Sequence, residues 1–210
     1  MEPVITPRPH DLLRLSASAA DRLPADAPPW AHGALRLVPW VVVRRAAAPA
    51  GFVAVGIRGA DRSQRYAWMV GPGDIQTTLL PEGLTEVPPL AGRDVPAILA
   101  LTEARALLSE ARFAWGPTGS VGFELATGIP TATTDSDLDL LVRVDVLSAA
   151  ALARLATLFQ HLAPLGARVD CQVDTRAGAI ALAELVSESS EVLVRTPSGP
   201  RLLERAVAMR

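Results

Sequence analysis

The hydrophobic rhythm of the chain becomes regular from Val95 onward, where helical and strand periods take turns. Val95 to Glu110 brings Ile98, Leu101, Leu107 and Leu108 onto helical spacing, which predicts an amphipathic helix. Phe113 to Trp115 predicts a short strand. Val121 to Thr127 predicts a short helix with Gly128 placed just past its end. Leu138 to Val144 follows as a strand, and Ser148 to Leu162 as an Ala/Leu-rich helix with Ser148 at its N-cap. Ala167 to Asp174 is a strand, Ala181 to Ser187 a helix and Glu191 to Arg195 a last strand. This alternation predicts an α/β domain.

The first part of the chain follows another pattern. Asp11 to Ser16 and Ala27 to Leu37 read as short helices, broken by Pro24, Pro28 and Pro29. Trp40 to Arg45 and Phe52 to Arg58 are Val-rich strands joined by an Ala48-Pro49-Ala50-Gly51 turn. Gln64 to Val70 is a third strand. Residues 71 to 95 hold Pro72, Pro81, Pro88 and Pro89 and read as a long connection. The expected organisation is a small β-rich lobe over residues 1–92, for substrate or carrier recognition, and a catalytic domain over residues 93–210.

Composition removes several function classes. Hydrophobic residues make up 50% of the chain, enough for a substantial core. Twenty basic residues stand against 22 acidic ones, so the chain lacks the basic excess that nucleic-acid binding draws on. All the basic residues are arginines, which excludes a Schiff-base lysine and a P-loop lysine. Cys171 is the one cysteine, so neither a disulfide framework nor a cysteine-rich zinc site is possible. No apolar run is long enough to span a membrane, and Met1-Glu2-Pro3-Val4 lacks a basic leader pattern. The expectation is a cytoplasmic protein with no nucleic-acid or membrane partner.

The chemistry concentrates in Trp115-Gly116-Pro117-Thr118-Gly119-Ser120 and Asp135-Ser136-Asp137-Leu138-Asp139-Leu140. In a strand, Asp137 and Asp139 point to the same face while Leu138 and Leu140 point to the other. Two such carboxylates repel each other unless a divalent cation lies between them, and hard oxygen ligands with open positions suit Mg²⁺. Asp170, between Val169 and Cys171 in the next strand, is the candidate third acid, with Asp174 as the alternative. Gly119 and Ser120 sit directly before a helix whose free N–H groups suit a phosphate. Together these residues fit metal-assisted phosphoryl or nucleotidyl transfer.

Other groups have plainer explanations. Arg58, Arg62 and Arg65 flank a turn and are either an anion clamp or a solvated loop. His10 and His32 are read as structural or surface residues, His161 as a partner of the helix dipole near a helix C-terminus, Cys171 as core, and Trp30, Trp40 and Trp68 as packing residues. Asp135 is a turn or strand-cap residue and a secondary metal candidate only. Glu124 is either a surface residue or one that orients the Gly-Ser turn. Ser120 with Gly122 does not make a nucleophile elbow, because Thr118 stands where that motif needs glycine.

A strand, Gly-Ser, a short helix and then an Asp-x-Asp strand resemble the DNA polymerase β-like nucleotidyltransferase superfamily. Arg8-Pro9-His10-Asp11-Leu12, Pro39 through Arg45, Gly56-Ile57-Arg58-Gly59, Arg62, Arg65 and Trp115 through Gly128 extend the likeness. They are similar to the phosphoribosyl-dephospho-CoA transferases of malonate decarboxylase systems, the holo-acyl-carrier-protein synthases. The resemblance implies a small β-rich lobe followed by a nucleotidyltransferase domain. It also implies transfer of a prosthetic group from 2′-(5-triphosphoribosyl)-3′-dephospho-CoA to a serine of the acyl-carrier subunit, with loss of pyrophosphate. On it Asp137 and Asp139 would hold Mg²⁺, Gly119 and Ser120 the triphosphate, and Asp170 would serve as base or third ligand. Arg58, Arg62 and Arg65 would bind substrate. The alternatives are a related enzyme using an ordinary nucleoside triphosphate and a non-catalytic carrier-binding module.

Overall fold

A computed structural model of the chain describes residues 6–61 and 63–208. They form a mixed α/β structure with two sheets, divided into two compact units between Leu80 and Pro81. Residues 81–92 fall in the second unit; the backbone of Pro81 lies so close to Gly116 that any side chain there would strike it.

The first unit is a five-stranded antiparallel sheet. Its strands are β1 (Leu12–Leu15), β2 (Trp40–Val43), β3 (Val53–Arg58), β4 (Arg65–Val70) and β5 (Ile75–Leu79), in the order β4-β3-β2-β1-β5. Helix α1 (Pro29–Leu37) and a 3₁₀ turn over Ala17–Arg22 supply buried Ala31, Leu35, Ala19 and Ala20 to a core with Leu13, Leu15, Val41, Val55 and Ile57. The expected helix at Asp11 to Ser16 is therefore a strand. Leu12 pairs with Val42 on one side and Leu79 on the other, and Leu12, Leu13 and Leu15 are all buried. A short run that is apolar on both faces cannot be told from a buried helix by periodicity. Likewise β5 lies within what reads as a connection, because the prolines around it mask a five-residue strand.

The second unit is a six-stranded sheet with the order β11-β10-β9-β8-β7-β6. Its strands are β6 (Ala114–Pro117), β7 (Leu138–Arg143), β8 (Val169–Thr175), β9 (Gly178–Ala181), β10 (Glu191–Thr196) and β11 (Gly199–Glu204). Helices α2 (Pro96–Glu110), α3 (Gly119–Thr127), α4 (Ala149–Leu162), α5 (Leu182–Leu185) and α6 (Arg205–Ala208) accompany it. The β7–β8 pair is parallel; the others are antiparallel. A parallel pair needs a long crossover, and α4 provides it. Ser148 caps α4 by accepting a hydrogen bond from the Ala151 N–H at 3.2 Å. Leu155, Leu158 and Leu162 of α4 pack with Leu101 and Leu108 of α2 and with Leu138, Leu140 and Val142 of β7. Each buried leucine contributes about 1.5–3 kcal/mol. No helix of the described residues is long and apolar enough to cross a membrane.

Candidate functional site

Strand β7 has two different faces. Leu138, Leu140 and Val142 enter the core, so Asp139 and Arg143 lie on the opposite face. The parallel register sets Asp139 beside Asp170, and Arg143 beside Asp174. Directly paired residues on neighbouring strands share a face, with backbones about 4.8 Å apart. Asp137 stands immediately before β7, and its carboxylate lies 3.7 Å from Nη1 of the exposed Arg168.

The Gly-Ser turn meets this row of acids directly. Pro117 pairs with Leu140, and the next N–H, that of Thr118, donates to the Asp139 carbonyl at 2.8 Å. Gly119 then takes a left-handed φ of +59° and opens α3. A Cβ added at Gly119 would lie 2.6 Å from Cγ of Asp139 and closer still to its carboxylate oxygen Oδ2. The absent side chain is thus what lets the Asp139 carboxylate come up against the helix entrance. The N-cap residue Thr118 makes no side-chain capping hydrogen bond to α3, whereas Ser148 caps α4, and Ser120 is buried at this end. The first-turn amides and the partial positive charge of the helix are oriented as an anion needs.

Glu124 holds the segment that leads into the acids. Its side chain is 1% exposed. It accepts two hydrogen bonds from Arg93, at 2.7 Å from Nε and 3.0 Å from Nη2. It also accepts the Thr131 N–H at 2.8 Å and the Ala132 N–H at 2.9 Å, while Arg93 Nη2 donates to the Ala132 carbonyl at 2.7 Å. Burial alone would raise the carboxyl's pKa. The Arg93 hydrogen bonds, the two backbone N–H groups and the Arg93 charge outweigh that and hold it below its ordinary value. Glu124 is buried and so is not the surface residue the sequence allowed, and its hydrogen bonds go to Arg93, Thr131 and Ala132 rather than to the Gly-Ser turn. Arg93 itself gives no sequence signal, being a lone arginine in a Pro/Gly-rich stretch.

The remaining candidates separate cleanly. Asp174 accepts from Arg143 Nη1 at 2.8 Å, and Arg143 Nε donates to Glu82 at 2.5 Å. Asp174 is thereby occupied in an ion-pair network, and Asp170 is the acid set beside Asp139. Arg143 was readable from the period of two that runs Asp139, Leu141, Arg143. Cys171 is buried, and its pKa is pushed up to about 12 by burial and by the neighbouring Asp170 charge, so its thiol is inert. Arg58 and Arg65 are cross-strand partners at the end of the β3–β4 hairpin, in the first unit. Arg62 lies outside the described residues.

Among the described residues, no group of three or more His, Cys, Asp or Glu side chains is arranged to hold a metal ion. The donor set still fits Mg²⁺. That ion is commonly held by one or two carboxylates with substrate phosphates and water completing its shell. Asp139 is a hard oxygen donor lying against the Gly119 turn, and Asp137, two residues before it, is a second such donor.

Comparisons with known proteins cover both units. Residues 8–81 match the family described as phosphoribosyl-dephospho-CoA transferase MdcG N-terminal domain, and residues 85–206 match its C-terminal domain. A protein of Pseudomonas putida named phosphoribosyl-dephospho-CoA transferase is 43% identical over 198 residues, 94% of this chain and 93% of the relative. Similar proteins of the same name come from Pseudomonas aeruginosa, 42% identical over 94% of this chain and 92% of the relative, and from Azotobacter vinelandii, 42% identical over 95% and 93%. No solved structure matches the chain.

Proposed function

Because the chain belongs to the phosphoribosyl-dephospho-CoA transferase family and is a transferase, we propose that it loads a prosthetic group onto the malonate decarboxylase acyl-carrier subunit. The donor is 2′-(5-triphosphoribosyl)-3′-dephospho-CoA, the acceptor a carrier serine, and the leaving group pyrophosphate. The second unit acts as a nucleotidyltransferase-like catalytic domain.

One observation carries this reading. The Asp139 carboxylate lies against the Gly119 turn, with Asp170 in register beside it. The α3 amides and the Ser120 hydroxyl bind the triphosphate and orient its α-phosphorus over Asp139 and Asp170. The carrier serine oxygen forms a bond to that phosphorus. The bond to the β-phosphate oxygen breaks, and pyrophosphate departs toward the helix N-terminus. Asp170 accepts the serine proton. Asp137 and Asp139 would hold Mg²⁺, which would supply neutralising charge for the triphosphate when bound. Such a reaction depends on positioning and charge more than on covalent help from the protein. Arg58, Arg62 and Arg65 are assigned to recognition of anionic substrate or carrier.

The test is mass spectrometry of the carrier subunit after incubation with this protein, Mg²⁺ and the triphosphate precursor. A serine carrying the phosphoribosyl-dephospho-CoA mass supports the reading. An unmodified carrier, or one modified only when ATP is supplied, overturns it.

A further inference from the structure

A pocket of about 460 Å³ opens beside Asp170, within the second unit. Phe159, Leu162 and Leu182 give it an apolar wall; Arg168, Asp170 and Arg195 give it a charged one. Two features suit it to a ligand that is part ring and part anion. Nη1 of Arg195 is buried and has no hydrogen-bond partner. A buried guanidinium N–H in that state is destabilising until an acceptor reaches it. Phe159, by contrast, keeps 37% of its surface exposed, which leaves an aromatic face for a planar group.

Position identifies the ligand. The Gly119 turn follows β6, Asp139 lies on β7, Asp170 on β8, and the pocket borders β8 and β9. Turn, acids and pocket therefore follow one another across adjacent strands, over a span on the order of 10 Å. A substrate whose triphosphate sits at the turn and whose α-phosphorus lies by the acids must send its retained portion onward, past Asp170. In the precursor, one ribose separates that phosphorus from an adenosine bearing a 5′-diphosphate.

We propose that this pocket is the subsite for the adenosine 5′-diphosphate part of dephospho-CoA. Adenine lies on Phe159 and the aliphatic wall. The diphosphate accepts from Arg195, with Arg168 at the rim. The pantetheine arm leaves toward solvent. This assignment rests on the transfer reading above and adds to it the part of the chain that selects the group to be transferred.

Calorimetric titration of the full chain with dephospho-CoA, ADP, pantetheine and tripolyphosphate tests it. The wild type binds dephospho-CoA and ADP, and pantetheine is weaker than both. Arg195→Met weakens dephospho-CoA and ADP at least tenfold, leaves tripolyphosphate within twofold, and is partly rescued by Arg195→Lys. Ala183→Trp, which fills the pocket from an exposed position on α5 and leaves Arg195 in the chain, gives the same pattern and decides the matter if Arg195→Met does not fold. Unchanged dephospho-CoA affinity in a folded variant of either kind overturns the subsite, as does a wild type that binds neither dephospho-CoA nor ADP. If the variants lose dephospho-CoA but the wild type loads no carrier, the subsite stands and the transfer reading fails. If they load carrier at the wild-type KM, the transfer reading stands and the subsite fails.

Discussion

A Cβ at position 119 would stand 2.6 Å from Cγ of Asp139. The same residue has a φ of +59°. Gly119→Ala therefore meets two separate obstacles, a clash and a left-handed backbone. Strain of this kind costs about 1–3 kcal/mol. The expected result is a modest fall in Tm, with a loss of transfer of about a hundredfold or more because the acid and the helix entrance are pushed apart. A folded Gly119→Ala protein with the wild-type rate would show that this close approach is not part of the site.

The register of β7 and β8 distinguishes two acids that alternate identically along one strand. Asp170 lies beside Asp139, whereas Asp174 binds Arg143. Asp170→Asn is expected to lower kcat by about a hundredfold or more, as loss of a proton acceptor does, with little change in Tm. Asp174→Asn is expected to lower stability by about 1–3 kcal/mol, since it leaves a largely buried guanidinium short of an acceptor, with kcat reduced much less. Parallel kinetics and thermal melts check this. The reverse pattern would exchange the roles of the two acids.

Glu124 and Arg93 tie α3 to residues 131 and 132 on the way to Asp137 and Asp139. Removing one partner of a buried pair is strongly destabilising, and Glu124→Gln should cost about 3 kcal/mol. The pH dependence has a defined sign. Glu124 is held below its ordinary value of 4.5, so the unfolded chain binds its proton more readily than the folded one. Its contribution is complete above about pH 5 and is lost as pH falls through the depressed folded value. The Tm gap between wild type and Glu124→Gln should therefore be widest above pH 5 and narrow on acidification. A gap that is constant from pH 7 to pH 3 would mean the carboxylate charge does not matter there.

Cys171 offers a check on the core of the second unit. With its thiol pushed up to about 12, almost no thiolate exists at neutral pH. Labelling by a thiol reagent at pH 8 is expected to be at least a hundredfold slower in the folded chain than in urea. Rapid labelling of the folded chain would place Cys171 at an open surface.

Sequence patterning reveals what depends on local order. The α4 helix with its Ser148 cap, the alternation of Leu138 and Leu140 with Asp139, and the Gly119-Ser120 turn are each encoded within a few residues. Less is legible where tertiary pairing decides. Leu12 and Leu13 look helical until strands on both sides are known. β9 and β11 are reached by short returns after Thr175 and Thr196, and β11 is a largely exposed edge strand with little apolar pattern. The choice between Asp170 and Asp174 needs a cross-strand register that no single strand contains. Arg93 and Glu124 are 31 positions apart, and nothing local marks their pairing.

The central claim is that Asp137 and Asp139 serve the transfer reaction beside the Gly119 turn. The Asp137→Asn, Asp139→Asn double variant tests it most directly, assayed by mass spectrometry for loading of the carrier serine, with circular dichroism as the check on folding. The predicted result is an unmodified carrier from a chain that retains its fold. A double variant that loads the carrier at the wild-type rate would contradict the claim.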